Sequence, residues 1–203
     1  MTAAPPPIVS LEGGAEATDS RRGQGVYHRA LAGLQALRDE HLFFGVSITV
    51  TRDNMRTVTS PEYMDWLHGL GCRLVFLVEY VPTTPGTEAL ALDEAESAEL
   101  ALRLADRGPL AEEMIVLSFP GDEKALGGCL ASGRGFFHIA PDGAAEPCPF
   151  SSHSDRNVAE VGFVEALKSP FFLRLRDARA LGWEHTGGCT LYEHRDEVAA
   201  LLQ

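Results

Sequence analysis

The chain has 203 residues, 45% of them hydrophobic and 23% charged, which suits a soluble globular protein with one ordinary domain and a small appendage. Acidic side chains outnumber basic ones 29 to 17, and the net charge of −12 repels phosphate backbones. No basic patch offsets that field, since Arg174, Arg176 and Arg179 alternate with apolar residues, so a nucleic-acid partner is not expected. No apolar run approaches the roughly 20 residues of a membrane span, and the start of the chain lacks the basic and apolar regions of a secretion signal. Four cysteines in that context point to a reducing, cytoplasmic setting, where thiols hold metal more often than they pair.

Met1 to Pro7 is too rich in proline to pack and reads as a frayed arm. Ile8 to Glu12 alternates as a short strand whose end carries polar groups, and Gly13-Gly14 breaks it. Tyr27, Ala30, Leu31, Leu34 and Leu37 recur at helical spacing and predict a helix from about Gly25 to Glu40. Phe43 to Thr51 alternates again, with Val46, Ile48 and Val50 on one side and Ser47, Thr49 and Thr51 on the other. Ser60-Pro61 is a helix start, an N-cap followed by proline at the first helical position, and the helix stops at Gly71.

Arg73 to Tyr80 reads as a buried parallel strand with Glu79 near its end. Asp93 with Glu96 forms a capping-box pattern for a helix to about Asp106. Met114 to Phe119 is a fourth strand, closed by Pro120-Gly121. This alternation implies right-handed crossovers and a parallel sheet, either open or part of a (β/α) barrel. Ligands gather at the C-terminal ends of such strands, where Ser10, Glu12, Thr49, Thr51 and Glu79 are placed.

The last third is different. Phe136 to Ala140 and Ala144 to Cys148 flank Pro141-Asp142-Gly143, a turn signal, and predict a hairpin that sets Cys148 opposite roughly Phe136. A polar loop, Phe150 to Arg156, follows. A helix is predicted from Phe163 to about Ala180, disturbed at Pro170, and Thr190 with Glu193 forms a capping box for a last helix to Leu202. Cys129, Cys148 and Cys189 all lie beside glycine-rich turns, and Cys189 sits where backbone N–H groups at a helix start stabilise a thiolate. Three such thiols suggest a soft-metal site. Iron–sulfur ligation, zinc held with His153 or His185, and plain core thiols are the readings open to them. Cys72, ahead of a strand, reads as an inert core thiol.

Cys129, thirteen residues, Gly143, four residues and Cys148 match the Cys-x(9–15)-Gly-x(4)-Cys signature of the auxiliary-cluster domains of radical SAM enzymes, called SPASM or, in the shorter form, twitch. With Cys189 as the one further thiol downstream, the shorter form fits better. Ser10-Leu11-Glu12-Gly13 resembles the fourth strand of radical SAM barrels, Ser-x-(Asp/Glu)-Gly, and Thr18-Asp-Ser-Arg-Arg-Gly resembles the segment that follows it. The chain thus resembles the C-terminal portion of a radical SAM enzyme.

The resemblance implies a partial parallel barrel over residues 1–120, lacking the first strands, and a small α+β auxiliary-cluster domain over 121–203. It implies a 4Fe–4S cluster on Cys129, Cys148 and Cys189, with an open iron that a group such as Asp155 would face. It implies S-adenosyl-L-methionine (SAM) near Ser10, Glu12, Thr49 and Glu79. The Cys-x3-Cys-x2-Cys loop that holds the SAM-cleaving cluster is not in this sequence, so this chain alone is expected to be inactive. A missing N-terminal half or a split subunit is the partner implied, with an electron donor such as a ferredoxin or flavodoxin. Family substrates are often peptides. The competing expectations are a non-catalytic zinc- or iron-binding module and a small α/β enzyme using Glu12 and Glu79 as acid and base.

Overall fold

The computed structural model describes residues 6–105, 112–119, 127–183 and 189–203. Met1–Pro5 of the arm, Asp106, the Pro120-Gly121 stop, His185 and Gly187-Gly188 lie outside the described residues. The chain forms two compact units, Met1–Gly121 and Asp122–Gln203.

The first unit is a four-stranded parallel sheet in the order β1 (Ile8–Leu11), β2 (Gly45–Val50), β3 (Leu74–Glu79), β4 (Ile115–Phe119). Helices α1 (Ala15–Arg22), α2 (Val26–Asp39), α3 (Met55–Val58), α4 (Pro61–Gly69) and α5 (Glu94–Ala105) connect the strands. The alternation in the strands sorts the two faces. Val46, Ile48, Val50, Val75 and Leu77 are buried in one cluster with Leu34 of α2, Leu67 of α4 and Leu100 of α5. The register pairs Ser10 with Ser47 and Thr49 with Val78, so these residues and Phe76 share the opposite, half-buried face. On that face the rings of Phe76 and Phe119 stack 5.7 Å apart.

Two helix starts follow the local chemistry. Ser60 Oγ accepts from Tyr63 N at 3.2 Å, with Pro61 first in α4. Asp93 and Glu96 form a reciprocal box, each carboxylate accepting the other's backbone N–H, at 2.9 and 3.0 Å. Helix α1 was not expected. Its sequence, AEATDSRR, buries only Thr18, so it carries no apolar stripe for periodicity to detect.

Among the described residues the second unit holds a two-stranded antiparallel hairpin, β5 (His138–Ile139) with β6 (Ala145–Glu146), and the short helices α6 (Val158–Val161), α7 (Phe163–Ala166), α8 (Pro170–Asp177), α9 (Thr190–Glu193) and α10 (Arg195–Ala200). Phe171, Phe172, Leu175, Leu191 and Val198 are among its buried residues. The hairpin has the expected register, His138 with Glu146, which sets Cys148 opposite Phe136, but the ladder itself is shorter and ends at Glu146, and Phe136 N donates to Leu130 O. Two expectations are corrected here. The single helix from Phe163 to Ala180 is two helices. Ser169 accepts from Phe172 N and Pro170 opens a new first turn, the same signal as Ser60-Pro61. The last helix divides at His194, and its capping box does not form: Cys189 is the N-cap, while Thr190 Oγ1 donates to the carbonyls of Ala180 and Trp183.

Candidate functional site

The three thiols named from the sequence lie in the second unit, and all are buried. Cys129 is fixed by its N–H, which donates to Leu181 O at 2.7 Å. Gly128 before it holds φ +109, and a Cβ there would meet the same carbonyl at 2.6 Å, so the close approach needs glycine. Thr190, next to Cys189, anchors to Ala180 and Trp183 on either side of that carbonyl. Cys129 and Cys189, sixty residues apart, are therefore held by one short segment.

Cys148 arrives along β6. Gly143, the glycine of the signature, holds φ +88 in the turn, and a Cβ there would meet Asn157 Oδ1 at 2.6 Å. Asn157 Nδ2 donates to Asp142 O at 2.9 Å, and Val158 N donates to Gly143 O at 2.8 Å, so the turn is packed onto the start of α6.

Cys148 and Cys189 are in thiol–thiol hydrogen-bond contact, and Cys129 is close enough to act on Cys148 electrostatically. The bond to Cys189 and burial push the Cys148 thiol well above its ordinary range, so without metal it stays protonated. None of the four cysteines is in a disulfide.

This donor set fits an iron–sulfur cluster. The sulfurs come from three places in the chain, water is excluded, and two of them accept backbone N–H groups: Ala131 N donates to Cys129 Sγ at 3.5 Å and Phe150 N to Cys148. Among the described residues no three His, Cys, Asp or Glu side chains converge closely enough for a single metal ion. Binding would deprotonate the thiols.

Other sequence candidates are placed elsewhere. Both Asp155 oxygens are engaged at the start of α8, accepting from Ser169 Oγ at 2.6 Å and Phe171 N at 2.9 Å. His153 packs edge-on against Phe171. Cys72 belongs to the first unit, is fully buried, and donates to Leu74 O, as an inert core thiol does. A cavity of about 340 Å³ is lined by Phe150, Ser151, His153, Tyr192, Arg195 and Asp196. There the Arg195 guanidinium sits 5.6 Å from the Tyr192 ring centre.

In the first unit, Glu12 lies just past β1 and is 1% exposed. Its Oε1 is 2.6 Å from Arg22 Nη2 and 3.3 Å from Arg21 Nε, and its Oε2 accepts from Thr49 N at 3.2 Å. Burial raises the Glu12 pKa, and the two arginines only partly offset it. The segment after the strand serves this carboxylate: Thr18 Oγ1 accepts from Glu12 N, and Arg21 also covers the Tyr80 ring.

Ser10 and Thr49 are half-buried on the face that carries Ser47 and Phe76. Glu79 is not brought to that face. It pairs in register with Val50, on the helix side, and accepts from Ser97 Oγ of α5 at 3.3 Å. The sequence reading missed Asn54, whose Nδ2 donates to Glu12 O and Thr49 O while its Oδ1 accepts from Thr51 N. It also missed Asp19, which accepts from Gly25 N and Tyr27 N at the head of α2. Both are held by backbone groups that only the fold brings near.

The α/β fold is the one found in radical SAM enzymes, and the chain resembles the C-terminal portion of such an enzyme. No family model matches the chain. Among particular proteins, it is 27% identical over 218 residues to the AdoMet-dependent heme synthase of Methanosarcina barkeri (strain Fusaro / DSM 804), an alignment covering 94% of this chain and 60% of that protein. Among solved structures, Streptococcus suis SuiB superposes with a TM-score of 0.61 at 12% identity, covering 84% of this chain and 45% of SuiB. The anSMEcpe protein with bound AdoMet gives 0.57 at 12% identity, covering 96% and 62%. At that identity the structural likeness is one of fold. The chain spans less than two thirds of the length of each of these proteins.

Proposed function

We propose that this chain supplies the C-terminal portion of a radical SAM enzyme and carries an auxiliary 4Fe–4S cluster on Cys129, Cys148 and Cys189. The observation that carries the reading is the buried contact of Cys148 with Cys189, within electrostatic reach of Cys129. When bound, such a cluster supplies an electron relay or an anchoring iron. The chain's own residues exclude water from the sulfurs and donate to them through Ala131 and Phe150.

In the first unit, Ser10, Thr49 and the Glu12–Arg21–Arg22 group line the end of the sheet where SAM's polar groups would be held, and Glu79 supports that end from the helix side. The loop of thiols that chelates SAM is not among these residues, so reductive cleavage needs it from sequence or a subunit outside them, with a ferredoxin- or flavodoxin-type donor. Of the substrate classes that its relatives name, a tetrapyrrole related to heme is favoured over a peptide, because that kinship is seen in sequence and not in fold alone.

Anaerobic reconstitution with iron and sulfide tests the cluster. The wild-type chain is expected to bind iron with acid-labile sulfide. Cys148→Ala is expected to lose most of it, and Cys72→Ala to keep it. Stoichiometric zinc without sulfide, or full iron loading in Cys148→Ala, overturns the reading.

A further inference from the structure

The two loops that carry the first two thiols repeat one arrangement. They read Cys129-Leu130-Ala131-Ser132 and Cys148-Pro149-Phe150-Ser151. In each, the amide two residues past the cysteine donates to its sulfur. In each, the residue three past it is a buried serine, 0% exposed at Ser132 and 5% at Ser151. Both hydroxyl oxygens are shut off from solvent, and neither has a hydrogen-bond partner among the described residues.

A buried hydroxyl without a partner is disfavoured, and protein interiors rarely keep one without a reason. Here the fold keeps two, at equivalent positions. The loops are tied together where Ser132 N donates to Pro147 O, and the second closes on itself where Ser151 N donates to Cys148 O. Ser132 moreover holds φ +58, a left-handed conformation where glycine is the easier residue. Backbone geometry alone therefore does not explain a serine there. Both oxygens lie on the loops whose sulfurs would bind the metal, and a sulfur-rich cluster is the acceptor that the apo fold lacks.

We propose that the Ser132 and Ser151 hydroxyls donate hydrogen bonds to the sulfurs of the cluster, one from each loop, and raise its reduction potential. The proposal rests on the cluster reading above. A donor facing sulfur favours the reduced, more negative state of the cluster, so removing it makes reduction harder.

The test uses the full chain and the variants Ser132→Ala, Ser151→Ala and Ser151→Thr, each with and without reconstitution. In the apo proteins the alanine variants are expected to melt at or above the wild-type temperature, because each removes an unsatisfied hydroxyl. In the reconstituted proteins, redox titration followed by electron paramagnetic resonance is expected to show a more negative midpoint in each alanine variant. A tenfold change in the one-electron equilibrium would correspond to about 59 mV. Ser151→Thr, which keeps the hydroxyl, is expected to restore the wild-type value. Loss of the cluster in Ser151→Ala but not in Ser151→Thr also supports the proposal. A midpoint that stays or rises in the loaded alanine variants overturns it and leaves the cluster reading intact, as does a lowered apo melting temperature with an unmoved midpoint. A wild-type chain that binds no cluster ends both readings.

Discussion

Glu12 is a carboxylate whose burial outweighs two arginines. Its folded pKa lies above the ordinary glutamate value of 4.5, so the folded state holds its proton more tightly than the unfolded one. The stability it contributes is then fully present below pH 4.5 and is lost as pH rises through the folded value. Glu12→Gln cannot titrate. The stability of the wild type relative to this variant is expected to grow as pH falls from neutrality toward 4.5, in urea titrations across that range. A difference that shrinks instead would mean that the arginines dominate. Glu12, Gly143 and the three thiols were legible because their residue types are constrained locally or by a spaced motif. Ser132 and Ser151 were not, because nothing in a serine's neighbours along the chain says whether its hydroxyl finds a partner. Glycine at 143 is testable as well. Gly143→Ala forces a left-handed alanine at about 1–2 kcal/mol and adds a Cβ clash with Asn157, so the second unit is expected to lose at least that much stability in urea unfolding.

At the scale of elements, apolar period and capping chemistry carried most of what could be read. The strands β1 to β4 and the starts of α4 and α5 follow from alternation, Ser-Pro and the reciprocal Asp93–Glu96 box. Where one signal opposed another, the reading failed. The apolar run from Phe163 outweighed Ser169-Pro170, yet proline removes an amide and the serine offers an oxygen, so the chain restarts a helix there. Ser169 is fully buried and serves twice, accepting from Phe172 N and donating to Asp155. Ser169→Ala is therefore expected to cost about 0.5–2 kcal/mol as a lost cap, with Ser169→Thr closer to wild type, measured by urea denaturation. Its loss also releases one tie of Asp155, so fraying should appear in amide exchange at Phe171 and Phe172 before it reaches α10.

The two units differ in how they could stay folded. The first has a continuous parallel sheet with an apolar core to which four of its helices, α2 to α5, contribute. The second has strands of two residues and helices of four to eight, and small folds of that kind usually lean on a staple. A bound cluster joining Cys129, Cys148 and Cys189 would tie the hairpin loop to the C-terminal helices and stabilise only the unit that holds it, by linkage between binding and folding. The chain's two tryptophans can report this separately. Trp66 lies in the first unit beside Tyr63, and Trp183 in the second beside His194. In Trp66→Phe the remaining fluorescence follows the second unit, and its unfolding midpoint is expected to rise on anaerobic reconstitution and fall back when oxygen and a chelator strip the iron. In Trp183→Phe the signal follows the first unit, whose midpoint should stay where it was. Equal shifts in both variants would mean that the units unfold as one, and no shift in either would mean that the thiols hold nothing that matters to the fold.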